Sequence, residues 1–247
     1  MLSEIPSEQF AAALNACARE VLAECLITAP PVDALLLAER LDLLVARDAT
    51  MQQRARFVRL GQTNGAGRGT ILLADEPRPE RRHWAVAHEV GESIAYRVFT
   101  ALGVSLVDIP TSGRETVANQ LASCLLLPHD WFAADGNALD WDLLELKLIY
   151  ATASHELIAR RLLEMRPAVI VTLFDQGLPQ WRQSNVVARP PRLTSPEIET
   201  WKTAHQRAKP ARYYGQDLPA GIDGVRCWPV HEPSWRREIM RTTLQEW

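Results

Sequence analysis

Trp84-Ala-Val-Ala-His88-Glu89-Val90-Gly91-Glu92-Ser-Ile-Ala95 is the stretch whose reading decides the fold. Residues four apart on a helix stack on one face, so His88 and Glu92 point the same way. Glu89 is offset by one residue and lies beside that pair. In metal-dependent hydrolysis two ligands one turn apart hold the ion, and the carboxylate between them takes a proton from the metal-bound water. The usual string has His at both ligand positions; here the second is Glu92, giving HExxE. Other His-Glu pairs carry less. His155-Glu156 has the apolar Ala159 at the fourth position, and His231-Glu232 runs into Pro233. The first pair differs in its setting: Val86, Ala87, Val90, Ile94, Ala95, Val98 and Phe99 place its helix in the core. A His and two carboxylates there need compensating charge, and a bound cation supplies it.

Outward from this helix, the next one contains Glu115-Thr-Val-Ala118-Asn119-Gln-Leu121-Ala122-Ser-Cys-Leu125-Leu126-Leu127-Pro128. Glu115 precedes Ala118, Ala122 and Leu125 on one helical stripe. A first-turn carboxylate also suits the helix dipole as an ordinary exposed residue. Joined to His88 and Glu92 it makes a third metal ligand, and a fourth position stays open for water, as in catalytic zinc sites. His83 sits five residues before His88 and points away, so it is not counted as a ligand. Tyr150 and His155 are alternatives for an oxyanion donor; a core Tyr and a surface His are the preferred readings.

Helical spacing is expected over residues 8–27 and 35–41, with Pro30-Pro31 between them, over about 80–100 and 114–127, and over about 154–164. Short strands are expected at 43–46, 55–60 and 70–74. The glycine-containing loop 61–69 lacks a following Lys-Ser/Thr and leads into a strand, so it reads as a hairpin connection, not a phosphate loop. Residues 168–174 and 178–182 read as a second hairpin around Asp175-Gln-Gly177. The remaining tail is rich in Pro, Arg and Trp, with helical islands near 196–207 and 235–244 and a loop from Lys209 to Trp228. Its tryptophans (Trp181, Trp201, Trp228, Trp235 and Trp247) alternate with arginines, which fits the edge of a core better than a docking surface. The expected division is 1–165 for a catalytic-type domain with N-terminal helices and 166–247 for a hairpin and appendage.

Composition sets outer bounds. With 27 Lys+Arg against 30 Asp+Glu in 247 residues, the chain is not a strongly basic protein that grips phosphates. Hydrophobic residues at 47% and charged residues at 23% exclude disorder across the whole chain. The apolar run from Leu121 to Leu127 is far short of the ~18 residues needed to cross a bilayer, and the start lacks the basic and apolar pattern of a secretory signal. The cytosol is the expected address. Four widely spaced cysteines without CxxC read as buried thiols.

The two helices in order resemble the ImmA/IrrE metallopeptidases, whose members carry AHE-G-H followed by E-x-x-A-N-x-F-A-x-x-L-L-x-P. Here the strings are Ala87-His88-Glu89-Val90-Gly91-Glu92 and Glu115-x-x-Ala118-Asn119-x-Leu121-Ala122-x-x-Leu125-Leu126-x-Pro128. Pro31-Val32-Asp33 ahead of a helix and Arg160-Arg161-Leu162 in a third helix also look like that family. The similarity covers about residues 30–165. It implies an α+β, zincin-like metallopeptidase core with a small mixed sheet and active-site helices. It also implies a zinc ion on His88, Glu92 and Glu115, Glu89 as general base, and peptide hydrolysis. The implied partner is a protein substrate, commonly a helix-turn-helix repressor in this family, cut in a stress or mobile-element response. Neither direct nucleic-acid binding nor a membrane is implied.

Two positions depart from the family pattern. Leu121 for Phe is a packing change. Glu92 for His adds negative charge and a hard oxygen donor, which shifts preference towards Mn²⁺ or Fe²⁺ and weakens the acidification of metal-bound water. The rival expectation is therefore a regulatory protein on a protease scaffold that binds a repressor or another partner without cutting it.

Overall fold

The structure is a computed structural model that describes residues 5–51, 53–60, 68–105, 107, 109–215 and 217–245. It divides into two compact units, Met1–Ala138 with Leu148–Ser154, and Leu139–Lys147 with His155–Trp247. The first unit opens with α1 (Ser7–Glu24) and α2 (Ala34–Arg40). Asp33 caps α2 by accepting from the backbone N–H groups of Leu35 and Leu36. Three strands follow, β1 (Leu44–Arg47), β2 (Ala55–Leu60) and β3 (Arg68–Leu73). They form a small mixed sheet in the order β1-β3-β2, with β1 parallel and β2 antiparallel to β3. The pairing runs from Ala55↔Leu73 to Leu60↔Arg68, so the two strands are antiparallel on either side of the loop read as a hairpin connection. That loop's residues 61–67 lie outside the described residues.

Next come α3 (Pro79–Ala101), α4 (Thr111–Leu126) and α5 (His129–Ala138). The apolar residues expected to face the core from α3 do so: Val86, Ala87, Val90, Val98 and Phe99 are fully buried, and Ile94 and Ala95 nearly so. Each large aliphatic or aromatic side chain so buried stabilises the fold by ~1.5–3 kcal/mol relative to exposure. His83, near the start of α3, accepts the backbone N–H of Ala34 at 3.3 Å and so ties α3 to α2. Later in the chain comes α6 (Leu143–Ile149), a two-turn helix that the sequence does not lead one to expect. Tyr150 is fully buried, packs edge-on against Phe132 and donates to Asp135 at 2.7 Å, the core role preferred for it.

The second unit contains α7 (His155–Leu162), β4 (Val169–Asp175), β5 (Leu178–Ser184), α8 (Ser195–Arg207), β6 (Ala211–Tyr213), β7 (Ile222–Glu232) and β8 (Trp235–Leu244). Its antiparallel sheet has the order β5-β4-β8-β7-β6. Two expectations are corrected here. Residues 235–244 are a strand, not a helix, and the stretch 209–228 supplies β6 and most of β7 instead of being loop throughout. Helix-forming Met, Arg, Glu and Leu favour the helical reading locally. In the fold, adjacent Ile239 and Met240 are both fully buried, because they point to opposite faces of a strand paired on both edges. The helix at 195–207 is as expected, with a capping box between Thr194 and Glu197. Among the described tail tryptophans, Trp201 stacks on Phe174, Trp228 is buried and donates to Asp142, and Trp235 is exposed. Trp247 lies outside the described residues. All four cysteines are buried thiols outside any disulfide. Among the described residues, no helix is long and apolar enough to cross a membrane.

Candidate metal centre

Gly91 explains how α3 and α4 come close enough to share a site. A Cβ at that position would lie 2.7 Å from the backbone carbonyl oxygen of Ala118 and 3.2 Å from the Leu121 side chain. Hydrogen alone lets the two helices touch here. Three residues before this contact and one after it, α3 presents His88 and Glu92, and α4 presents Glu115 and Asn119. All four residues, with the buried Glu89, line one cavity of about 540 Å³. Its opposite wall comes from β2 and the residues just before it, including Arg54, Arg56 and Phe57.

His88 is held from one side and exposed to chemistry on the other. Its Nδ1 is 3.0 Å from Asn119 Oδ1, so Nδ1–H donates to the amide oxygen and Nε2 is the nitrogen left for a further partner. That Nε2 lies 3.3 Å from Glu115 Oε2. Two ligand atoms on one tetrahedral ion with bonds of ~2.1 Å sit about 3.4 Å apart. The imidazole and carboxylate therefore fit two neighbouring corners of a metal site as they stand. An amide oxygen fixing the non-ligating nitrogen is also the usual outer partner of a metal-binding His.

Glu89 is only 6% exposed. Burial pushes its carboxyl above the ordinary range; the His88 imidazole and the Phe57 backbone N–H pull it back, and Glu92 and Glu115 push it up again. Glu92 is exposed and lines the same cavity. Its carboxylate does not close on the other two. Among the described residues, the group of three ligand side chains whose atoms all lie within 4.8 Å is His205, His231 and Glu238, not His88, Glu92 and Glu115. The fit is therefore good for His88 with Glu115 and calls for a side-chain rotation at Glu92.

Asn119 lines the cavity and touches His88, a position that the sequence reading gave no role. It was present in the quoted Ala-Asn motif, and its position four residues after Glu115 was the available signal. Arg54 and Arg56 had no signal at all, because only the pairing of β2 with β3 brings them to the cavity.

Comparison with known proteins places the chain in a family. Residues 38–162 match the model of the Peptidase M78 family, described as the IrrE N-terminal-like domain. No curated protein matches the chain. Among solved structures, a Mycobacterium tuberculosis transcriptional regulator is similar in fold, with a TM-score of 0.65 and 15% sequence identity over 96% of this chain and 81% of that one. The matched span runs from the end of α2 to the end of α7 and holds both helices of the site and the mixed sheet, and the chain belongs to the Peptidase M78 (ImmA/IrrE) family.

Proposed function

We propose that the chain is a metal-dependent endopeptidase, with His88, Glu92 and Glu115 as metal ligands and Glu89 as general base. The observation that carries this reading is the meeting of His88 Nε2 and Glu115 Oε2 at 3.3 Å, in the cavity that the buried Glu89 also lines. A bound zinc ion supplies Lewis-acid polarisation of the scissile carbonyl and an acidified water. Glu92, one turn beyond His88, completes the set by turning inward, and its oxygen donor leaves Mn²⁺ and Fe²⁺ as competitors for zinc. Asn119 keeps the His88 lone pair on Nε2. Glu89, whose burial raises its proton affinity, takes a proton from the attacking water and returns it to the leaving amine nitrogen. β2 is an edge strand of its sheet, and an extended peptide can pair with such an edge while its carbonyl reaches the site. The substrate in this reading is a protein, and the helix-turn-helix repressors commonly cut by the family are the first class to test.

Glu92 also supports a second reading. Its carboxylate stands apart from the His88–Glu115 pair, as in a scaffold that has kept its cleft for binding and given up hydrolysis. Fluorogenic peptide libraries, assayed with zinc, manganese and iron, separate the two. The first reading expects turnover that Glu89→Gln lowers by about 10²–10⁴-fold while metal content is retained. Retained turnover in Glu89→Gln contradicts it. No turnover with any metal, together with hydrolysis gained on Glu92→His, selects the regulatory protein.

A further inference from the structure

Glu238, on β8, is completely buried. Its Oε1 lies 2.9 Å from His205 Nδ1 and 2.5 Å from His231 Nε2. Its Oε2 accepts the indole N–H of Trp201 at 3.1 Å. These residues come from three elements of the second unit. His205 is in the last turn of α8, His231 is next to the end of β7, and Glu238 faces Pro229 across the β7–β8 pair, diagonal to His231. The tight connection Pro233-Ser234 fixes that diagonal, because it joins Glu232 directly to its cross-strand partner Trp235.

A buried carboxylate is costly unless its charge is balanced. The three groups that touch the Glu238 oxygens are two imidazoles and an indole, and none is a fixed cation. The balance has to come from a proton shared with the imidazoles or from a metal ion. The donor types of the set suit the ion, which would seat once the two nitrogens draw back from Oε1, now at 2.9 and 2.5 Å, towards the ~3.4 Å spacing of neighbouring ligand atoms. Two imidazoles and one carboxylate are a zinc donor set, and all three ligand atoms lie within 4.8 Å of one another. Both His side chains are partly exposed, at 26% and 17%, which leaves a side open to solvent for entry and for a further ligand. Trp201 holds the second oxygen of the carboxylate, as outer partners of metal-bound carboxylates do, and is itself fixed by stacking on Phe174 at 4.9 Å between centroids.

We infer that His205, His231 and Glu238 form a second transition-metal site, of zinc type, in the C-terminal unit. It is independent of the α3–α4 centre and stands whether or not that centre is a peptidase site. Its open side admits water or a ligand atom from another molecule, and its three-element construction ties α8 to the β7–β8 hairpin.

The test uses the full chain carrying His88→Ala and Glu115→Ala, which removes the other candidate centre. After metal stripping, Co²⁺ and then Zn²⁺ are added, and binding is read from visible Co²⁺ ligand-field bands and from zinc per chain. One equivalent is expected, with tetrahedral Co²⁺ bands that zinc displaces. Adding His205→Ala, at a partly exposed position, should remove the bands while the far-ultraviolet circular dichroism of the metal-free chain is kept. Trp201→Phe should weaken zinc binding by about 10-fold. Zinc should also raise the thermal midpoint, and His205→Ala should abolish that rise. A folded chain that takes up no Co²⁺ or Zn²⁺ overturns the inference and assigns the cluster to a shared proton. Binding that is unchanged by both His205→Ala and His231→Ala overturns it as well.

Discussion

Asn119 holds one nitrogen of His88, and this decides what the other nitrogen can do. With Nδ1–H committed to the amide oxygen at 3.0 Å, Nε2 is the basic atom and faces Glu115. Asn119 is exposed and replaceable without loss of core, so its effect should be confined to the metal. Asn119→Ala is expected to leave the thermal midpoint of the metal-free chain unchanged and to lower metal affinity by about 10–100-fold. Competition against a chelator of known affinity measures it. Unchanged affinity would mean that the amide contact does not position the ring. At this scale the residue types were legible in the sequence: His88, Glu89, Glu92 and Glu115 line one cavity, as the helical spacing of each motif implied. What the sequence could not convey was the hand of each contact. Glu115 approaches Nε2 while Glu92 stands off, and that difference depends on side-chain rotamers and on the crossing of two helices.

The crossing is a property of elements, and it rests on Gly91. Gly91→Ala puts a methyl group 2.7 Å from a backbone oxygen that cannot swing aside. Helix propensity alone would make this change favourable, so a loss of stability reports the contact and not the helix. The expected cost is about 1–3 kcal/mol, read by urea denaturation, and metal affinity should fall with it as Glu115 and Asn119 move away from His88. A second element-level test concerns α8. Arg182 bonds the fully buried Glu197 through one guanidinium nitrogen, at 2.9 and 3.2 Å from its two oxygens, and Thr242 donates to the same carboxylate. Arg182→Ala leaves a buried charge without its cation and should cost roughly 3–5 kcal/mol. A loss within about 0.5 kcal/mol, typical of ordinary surface changes, would mean that the two threonines suffice. The long helices α3 and α4 were legible because their apolar periodicity is local. The strand β8 was not, because Trp235–Leu244 acquires its conformation from pairing with β4 on one edge and β7 on the other.

At the scale of the whole molecule, the first unit carries the α3 and α4 motifs within the family match over residues 38–162, and the second is built on a five-stranded antiparallel sheet. Each unit gathers imidazole and carboxylate groups by a different route. The first does so by helical spacing, four residues at a time, which is why its motif could be read directly. The second does so by folding: His205 and Glu238 are 33 residues apart, and His231 comes from a neighbouring strand. No periodicity joins those three, so the cluster was invisible until the sheet order was known. The central claim is that α3 and α4 together hold a metal. The most direct measurement is elemental mass spectrometry on gently purified protein beside Glu115→Ala. The expected result is a loss of about one metal equivalent per chain in the variant, with zinc, manganese or iron as the missing ion. Equal metal content in the two proteins, or a chain that stays empty when all three metals are offered, would contradict the claim.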